Sequence, residues 1–155
     1  MSSVDRVQEF LKAHGLSTRV VELDKSTRTA QMAADAIGTE LGSIVKSLVF
    51  VADGATTLAL VAGDRRADLT KMAQAFGATE IRIANADEVR EKTGFAIGGV
   101  PPVGHWPLLP TLIDRSLGRF ATVYAAAGSP RAIFPIEFQK LVELTQGSLT
   151  DIVEA

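Results

Sequence analysis

The chain has 155 residues, 46% hydrophobic and 22% charged, with a formal net charge of −2. That balance excludes a disordered chain, a collagen and a coiled coil, and the length fits a single domain over residues 1–155. Cysteine is absent, which excludes disulfides, thiolate metal sites and a cysteine nucleophile; a pI near 5.7 argues against the broad basic face that grips duplex DNA.

Ser3 is placed to cap a helix over residues 4–14, with Val4, Val7, Phe10 and Leu11 as its apolar stripe and Gly15 at its stop. Thr18–Leu23 reads as a short strand. Thr29 caps a second helix that ends before Gly38. Ile44–Ala52 is apolar and β-branched, Asp53-Gly54 is a hairpin turn signal, and Thr57–Ala62 is the returning strand. Asp68 caps a helix that stops at Gly77. Glu80–Ala84 is a strand, and Asn85 with Glu88 has capping-box spacing for a helix ending at Gly94. Thr111–Asp114 and Thr122–Ala126 read as strands. Pro135 at a helix start predicts a helix over 136–146, with Gly147 at its end. Strands and helices interleave without strict βαβ alternation. The fold class is therefore α+β, a mixed α/β domain around a largely antiparallel or mixed β core. No apolar run reaches 18 residues, and Met1–Phe10 carries Asp5, Arg6 and Glu9 with no signal-peptide core. The expectation is a cytoplasmic protein with no membrane partner.

The segment Gly98–Pro110 stands apart, holding four of the six prolines and three of the thirteen glycines. Proline stiffens it, and glycine lets another backbone approach. Such a loop is either a rigid surface connection or a cradle of bare N–H groups for an anion or a carbonyl oxygen. Lys46 is the most informative ionisable residue. In a strand it shares a face with Leu48, Phe50 and Ala52, while Val45, Ser47, Val49 and Val51 occupy the other. A lysine entering a strand apolar on both faces either snorkels to water or is held as a donor to phosphate or a polarised carbonyl.

His14 sits where a helix ends and reads as a helix-terminal residue. His105, in the Gly/Pro segment and followed by Trp106, reads equally as a site residue or an exposed loop histidine. No His-x-x-x-His spacing supports a metal, and no nucleophile elbow, P-loop or Gly-x-Gly-x-x-Gly is present, so neither metal nor cofactor is expected. Thr29, Asp64, Asp114 and the Gly128-Ser129 turn each have a plain structural reading as cap, turn, strand-end carboxylate and turn. Arg65 and Arg66 read as solvated.

In combination these segments resemble one family. Ser26–Phe50 (STRTAQMAADAIGTELGSIVKSLVF), Leu58–Ala78 (LALVAGDRRADLTKMAQAFGA), Thr93–Gly104 (TGFAIGGVPPVG), Thr111–Leu117 (TLIDRSL) and Ala125–Gly128 (AAAG) are similar in order and spacing to the YbaK/EbsC family, related to the editing insertion of bacterial prolyl-tRNA synthetases. The resemblance spans about residues 3–153. It implies a distorted, barrel-like β core wrapped by helices. It implies a free-standing trans-editing deacylase that hydrolyses the ester of a mischarged small amino acid on tRNA, commonly proline tRNA. Lys46 matches the family lysine and Gly98–Pro102 the family's glycine-rich loop. Lys46 with the N–H groups of Gly98, Gly99 and Val100 would carry catalysis, and Pro101 would stiffen the loop. The family's polar positions fall on Thr29, Gly63, Asp64, Asp114 and Gly128, as substrate contacts. The implied partner is the acceptor end of a mischarged aminoacyl-tRNA, with tRNA choice shared with prolyl-tRNA synthetase or an elongation factor. The STRTA stretch differs from the more polar equivalent of cysteine-type members, which weighs against cysteine; alanine, serine, threonine and small non-protein amino acids stay open. The rival expectation is a non-catalytic module that binds a nucleotide or aminoacyl end in the same pocket.

Overall fold

In the computed structural model, which describes residues 2–105 and 108–155, five helices and eight strands follow one another. They are α1 (Ser3–Ala13), β1 (Val21–Glu22), α2 (Ala30–Ile37), β2 (Ile44–Ala52), β3 (Ala55–Ala62), α3 (Leu69–Phe76), β4 (Ile81–Ile83), α4 (Ala86–Thr93), β5 (Thr111–Asp114), β6 (Thr122–Ala126), β7 (Ala132–Glu137), α5 (Phe138–Thr145) and β8 (Ser148–Thr150). Short 3-10 turns cover Leu41–Ser43 and Arg115–Arg119. Trp106 and Pro107 of the Gly/Pro segment lie outside the described residues.

The β2–β3 hairpin organises the sheet. Asp53 and Gly54 both take positive φ (48° and 82°), as a two-residue primed turn requires. The strands pair from Val45↔Ala62 to Ala52↔Ala55. The strand order is β1-β7-β6-β2-β3-β5-β8, with β4 joined to β2 alone. Antiparallel and parallel ladders mix, since β2–β6, β3–β5 and β5–β8 are parallel. On one face of β2, Val45, Val49 and Val51 join the large core with Val7, Leu11, Phe95, Phe134 and Leu141. On the other, Phe50 packs with Ala59, Val61 and Met72. The two-sided burial read from the sequence is therefore real.

Most boundaries follow from caps. Thr29, Asp68 and Asn85 accept from Met32, Lys71 and Glu88 N–H, and Gly38, Gly77 and Gly94 close their helices in the left-handed region. Three expectations are corrected. The cap of α1 is Ser2, not Ser3, and it forms a capping box with Asp5. The strand expected over Thr18–Leu23 shrinks to Val21–Glu22, because the Gln8 side chain takes the Thr18 carbonyl and the Val20 N–H at 3.1 and 2.8 Å. Pro135 does not open a helix. It lies in β7 opposite Tyr124, and α5 begins at Phe138. Arg131 O bonds Leu23 N on the β1 side, so by alternation Pro135 turns its missing donor to that side too. There β1 pairs only Ala132 and Ile133, so no ladder bond is lost.

The Gly/Pro segment is strapped to the body of the fold. Gly128 N donates to Gly99 O at 2.9 Å. A Cβ on Gly99 would lie 2.7 Å from Ser129 N, and one on Gly128 (φ +96°) 2.6 Å from Ser3 O, so neither position accepts a side chain. His105 is buried, not exposed, and its Nε2–H donates to Pro101 O at 2.6 Å, with Phe95 edge-on at 6.1 Å. That bond fixes the Nε2–H tautomer. Burial is the main cause that lowers the His105 pKa to about 4, with nearby Arg6 adding to it against the Pro101 bond.

Because His105 binds its proton less readily when folded, its contribution to stability is complete above the unfolded pKa of about 6.5 and fades as pH falls toward 4. Urea denaturation is expected to show the native protein losing about 2 kcal/mol more than a His105→Gln variant between pH 7 and pH 5. Equal losses in the two proteins would show that His105 is not held neutral.

Candidate active site

Among the described residues, no strand pairs with the middle of β2 on one side. Its ladder to β6 covers Ile44 and Val45, and its ladder to β4 covers Phe50–Ala52. Between them lies a cleft of about 410 Å³, lined among others by Thr29, Lys46, Ser47, Gly98, Val100 and Tyr124. That volume is in the range of small-molecule sites. Alternate residues of a strand turn N–H and C=O to opposite edges. Ile44 O accepts from Gly63 N on the β3 side, and Val49 O accepts from Ala84 N on the other. By this parity Ser47 turns its backbone N–H and C=O to the open side. Its Oγ is buried and has no hydrogen-bond partner among the described residues. An unpaired buried hydroxyl costs about 1–3 kcal/mol, so this edge is poorly satisfied by the protein itself.

Lys46 and Ser47 lean to opposite faces of this edge. Lys46 is half-buried, and its Nζ donates to the Arg65 carbonyl in the turn after β3. Two N–H donors of the ammonium remain for a ligand. Burial, foremost, and the Arg66 charge push its pKa below the ordinary lysine value, and Asp64 pulls the other way. The snorkelling alternative fits poorly: the ammonium is tied to a backbone oxygen at the wall of a cleft.

The Gly98–Val100 loop closes the other side. Gly98 and Val100 line the cleft, and their N–H groups have no hydrogen bond among the described residues. Gly99 is different. Its N–H is spent on Ala96 O at 3.1 Å and its C=O on Gly128 N, so it is structural support and not a free donor. The same holds for Pro101, whose carbonyl is taken by His105, and for Gly128, which carries the loop. Thr29 reaches the cleft while its Oγ caps α2, leaving its O–H hydrogen to donate.

The remaining residues singled out in the sequence sit elsewhere. Asp114 is buried behind the sheet, where one oxygen accepts from Ser116 N and Oγ and the other from Ile152 N. Asp64 and Gly63 lie in the turn behind Lys46. Arg119 grips Asp64 with two bonds of 2.9 and 2.7 Å and holds its carboxyl below the usual carboxylate range. Arg65 also pairs with Asp64, at 3.1 Å, whereas Arg66 is largely solvated. Sequence reasoning missed Ser47, Arg28, Tyr124 and Arg119. Arg28 crosses Gly98 so closely that a Cβ there would meet its Nε at 3.2 Å, yet only its place beside the Thr29 cap hints at this. Among the described residues no group of three or more His, Cys, Asp or Glu side chains could hold a metal ion.

The chain has recognisable relatives. The family profile of the aminoacyl-tRNA editing domain matches residues 24–144, and the chain belongs to that family, whose deacylases are hydrolases that cleave the aminoacyl-tRNA ester. It is 39% identical over 129 residues to YwhH of Bacillus subtilis, covering 81% of this chain and 80% of the relative. It is 26% identical over 125 residues to EbsC of Enterococcus faecalis, a candidate Cys-tRNA(Pro)/Cys-tRNA(Cys) deacylase, covering 80% of this chain and 76% of EbsC. A solved structure of a candidate trans-editing enzyme for prolyl tRNA synthetase superposes with a TM-score of 0.94 at 47% identity, over 100% of this chain and 99% of that one.

The close approach of Gly99 to Ser129 gives a direct check. Gly99→Ala is expected to displace the loop and destabilise the protein by about 1–3 kcal/mol, the usual cost of overpacking, read as a lower urea midpoint. An unchanged midpoint would show that the loop is not seated as described.

Proposed function

We propose that this chain hydrolyses the ester of a small amino acid mischarged on proline tRNA, acting in trans after release from the synthetase. One observation carries the reading: Lys46, Ser47, Gly98 and Val100 line a single cleft, and among the described residues the Gly98 and Val100 N–H groups have no hydrogen bond. EbsC and the candidate trans-editing enzyme support the choice of proline tRNA.

The chemistry asks little of side chains. The ester on the terminal ribose is already activated, so what is needed is positioning and stabilisation of the oxyanion. Lys46 holds the terminal phosphate or the ester region through charge-assisted hydrogen bonds. The Gly98 and Val100 N–H groups receive the developing oxyanion, and Ser47 hydrogen-bonds the aminoacyl group. Water attacks the carbonyl carbon, the ribose oxygen leaves with a proton, and a free amino acid and uncharged tRNA result. The apolar lining from Ala33, Ile44 and Ile133 favours a small aliphatic side chain. Size discrimination there is limited to about 1–3 kcal/mol per methylene. Among the described residues no helix is long and apolar enough to cross a membrane, and we assign the activity to the cytoplasm, where charged tRNA is made. Prolyl-tRNA synthetase or an elongation factor shares in the choice of tRNA.

The test is a deacylation time course on proline tRNA charged with alanine, cysteine, serine, threonine or proline. One mischarged ester is expected to disappear while prolyl-tRNA persists. Lys46→Ala is expected to lower the rate about 10- to 100-fold, the worth of a lost charged contact. Saturable binding with every ester decaying at the uncatalysed rate would instead establish a binding module.

A further inference from the structure

We propose that Arg119 is a positioning residue for Lys46, acting through Asp64 and the turn formed by residues 63–66; this rests on the reading of Lys46 as the cation that holds the substrate. The Lys46 ammonium is anchored by one carbonyl, that of Arg65. Where that carbonyl points depends on the turn, whose backbone is tied by Gly63 N to Ile44 O, Arg65 N to Ala62 O and Glu154 N to Arg66 O, and whose one carboxylate, Asp64, is tied to Arg119. Arg119 meets Asp64 fork to fork, Nη1 to Oδ2 at 2.9 Å and Nη2 to Oδ1 at 2.7 Å. This bidentate arrangement fixes direction as well as distance.

Arg119 is itself fixed. Its Nε donates to Ser116 O at 2.6 Å, and its guanidinium lies 5.1 Å from the Phe120 ring centroid. Ser116 in turn is held by Asp114, which is buried and also accepts from Ile152 N. Hydrogen bonds, joined by short stretches of backbone at Ser116 and at Asp64-Arg65, thus connect the buried Asp114 to Lys46. The packing is equally specific. A Cβ on Gly63 would lie 2.4 Å from Leu41 O, and one on Gly42 would lie 2.9 Å from both Arg119 Nη2 and Asp64 Oδ2. Three segments meet there with no room for a side chain, so the turn has one seat.

The Arg119 and Asp64 side chains are 36% and 29% exposed. Ion pairs this exposed contribute about 0–1 kcal/mol in the median, and what the two-bond fork adds is a fixed direction. Neither residue lines the cleft, so neither touches substrate there.

The experiment combines kinetics with a spectroscopic signal from Lys46. Arg119→Ala is expected to lower kcat about 10- to 100-fold, in keeping with small displacements of a catalytic group, while KM stays within about twofold. Arg119→Lys, which keeps the charge but loses the fork, recovers only part of the rate. Asp64→Asn falls with it, and the double variant is no slower than the slower single one, because both act through one turn. In protein labelled with ¹⁵N-lysine, the Lys46 ammonium is expected to give a slowly exchanging resonance that is lost in Arg119→Ala. Lys71, bonded to Asp151 and Val153 O at 3.0 and 2.7 Å, serves as the unchanged control. Wild-type kcat in Arg119→Ala, additive losses in the double variant, or an unaltered Lys46 resonance would each overturn the proposal. A native protein that hydrolyses no ester would overturn the functional reading instead, and the Lys46 resonance would still decide the positioning.

Discussion

The whole site depends on one strand that runs out of partners on one edge. β2 is bonded along its full length to β3, yet on the other side it is shared between β6 at its start and β4 at its end. Over Lys46–Leu48 no strand among the described residues pairs with that side. An open edge is normally a liability, because its bare N–H and C=O groups invite another strand. Here the edge opens inward, into a cleft capped by the Gly98–Val100 loop and the start of α2. A strand cannot enter, but an ester with its small acyl group can. The parity of the strand then puts Lys46 on one side of the edge and Ser47 on the other, so that one short segment presents an ammonium, a hydroxyl and backbone groups.

The loop opposite works by having no side chains where backbones meet. Gly99 and Gly128 touch through main-chain atoms, and His105 draws Pro101 into the core from the far side. Stiffness matters more than affinity in such an arrangement. Donors aimed at an oxyanion lower a barrier only when they need not reorganise during the reaction. Prolines that remove freedom before folding, and a buried histidine that cannot easily protonate, serve that end.

Much of this was legible in the residues. The β2–β3 hairpin, three helix caps and their closing glycines follow from local chemistry, which is why Ile44–Ala52 and Ala30–Ile37 could be bounded closely. Lys46 stood out because both faces of its strand were apolar. What local chemistry does not contain is which edge stays open. That depends on β6 and β4 arriving from elsewhere in the sequence, Ile81 opposite Ala52 and Tyr124 opposite Ile44, and stopping short of each other. Ser47 was therefore invisible as a site residue, and Gly99 could not be told from Gly98 or Val100 until its N–H was seen bonded to Ala96. Pro135 misled for a related reason: a proline is barred from a paired edge and harmless on an unpaired one, and only tertiary pairing says which edge it meets.

Asp64 shows how far such a division of labour extends. Its carboxylate is near the lysine and of opposite sign, and the family resemblance makes it a substrate contact. The geometry assigns it otherwise. Both of its oxygens are engaged by Arg119, and this pairing holds its charge on well below neutral pH. A carboxylate so engaged is a poor proton acceptor for a water in the cleft. It still acts electrostatically, pulling the Lys46 pKa upward against the larger downward effects of burial and Arg66. The site thus separates two demands that a single residue meets poorly. A cation must be desolvated to bind strongly, and it must remain ionised to bind at all. Burial at the strand edge supplies the first, and the Asp64 carboxylate, outside the cleft, acts toward the second.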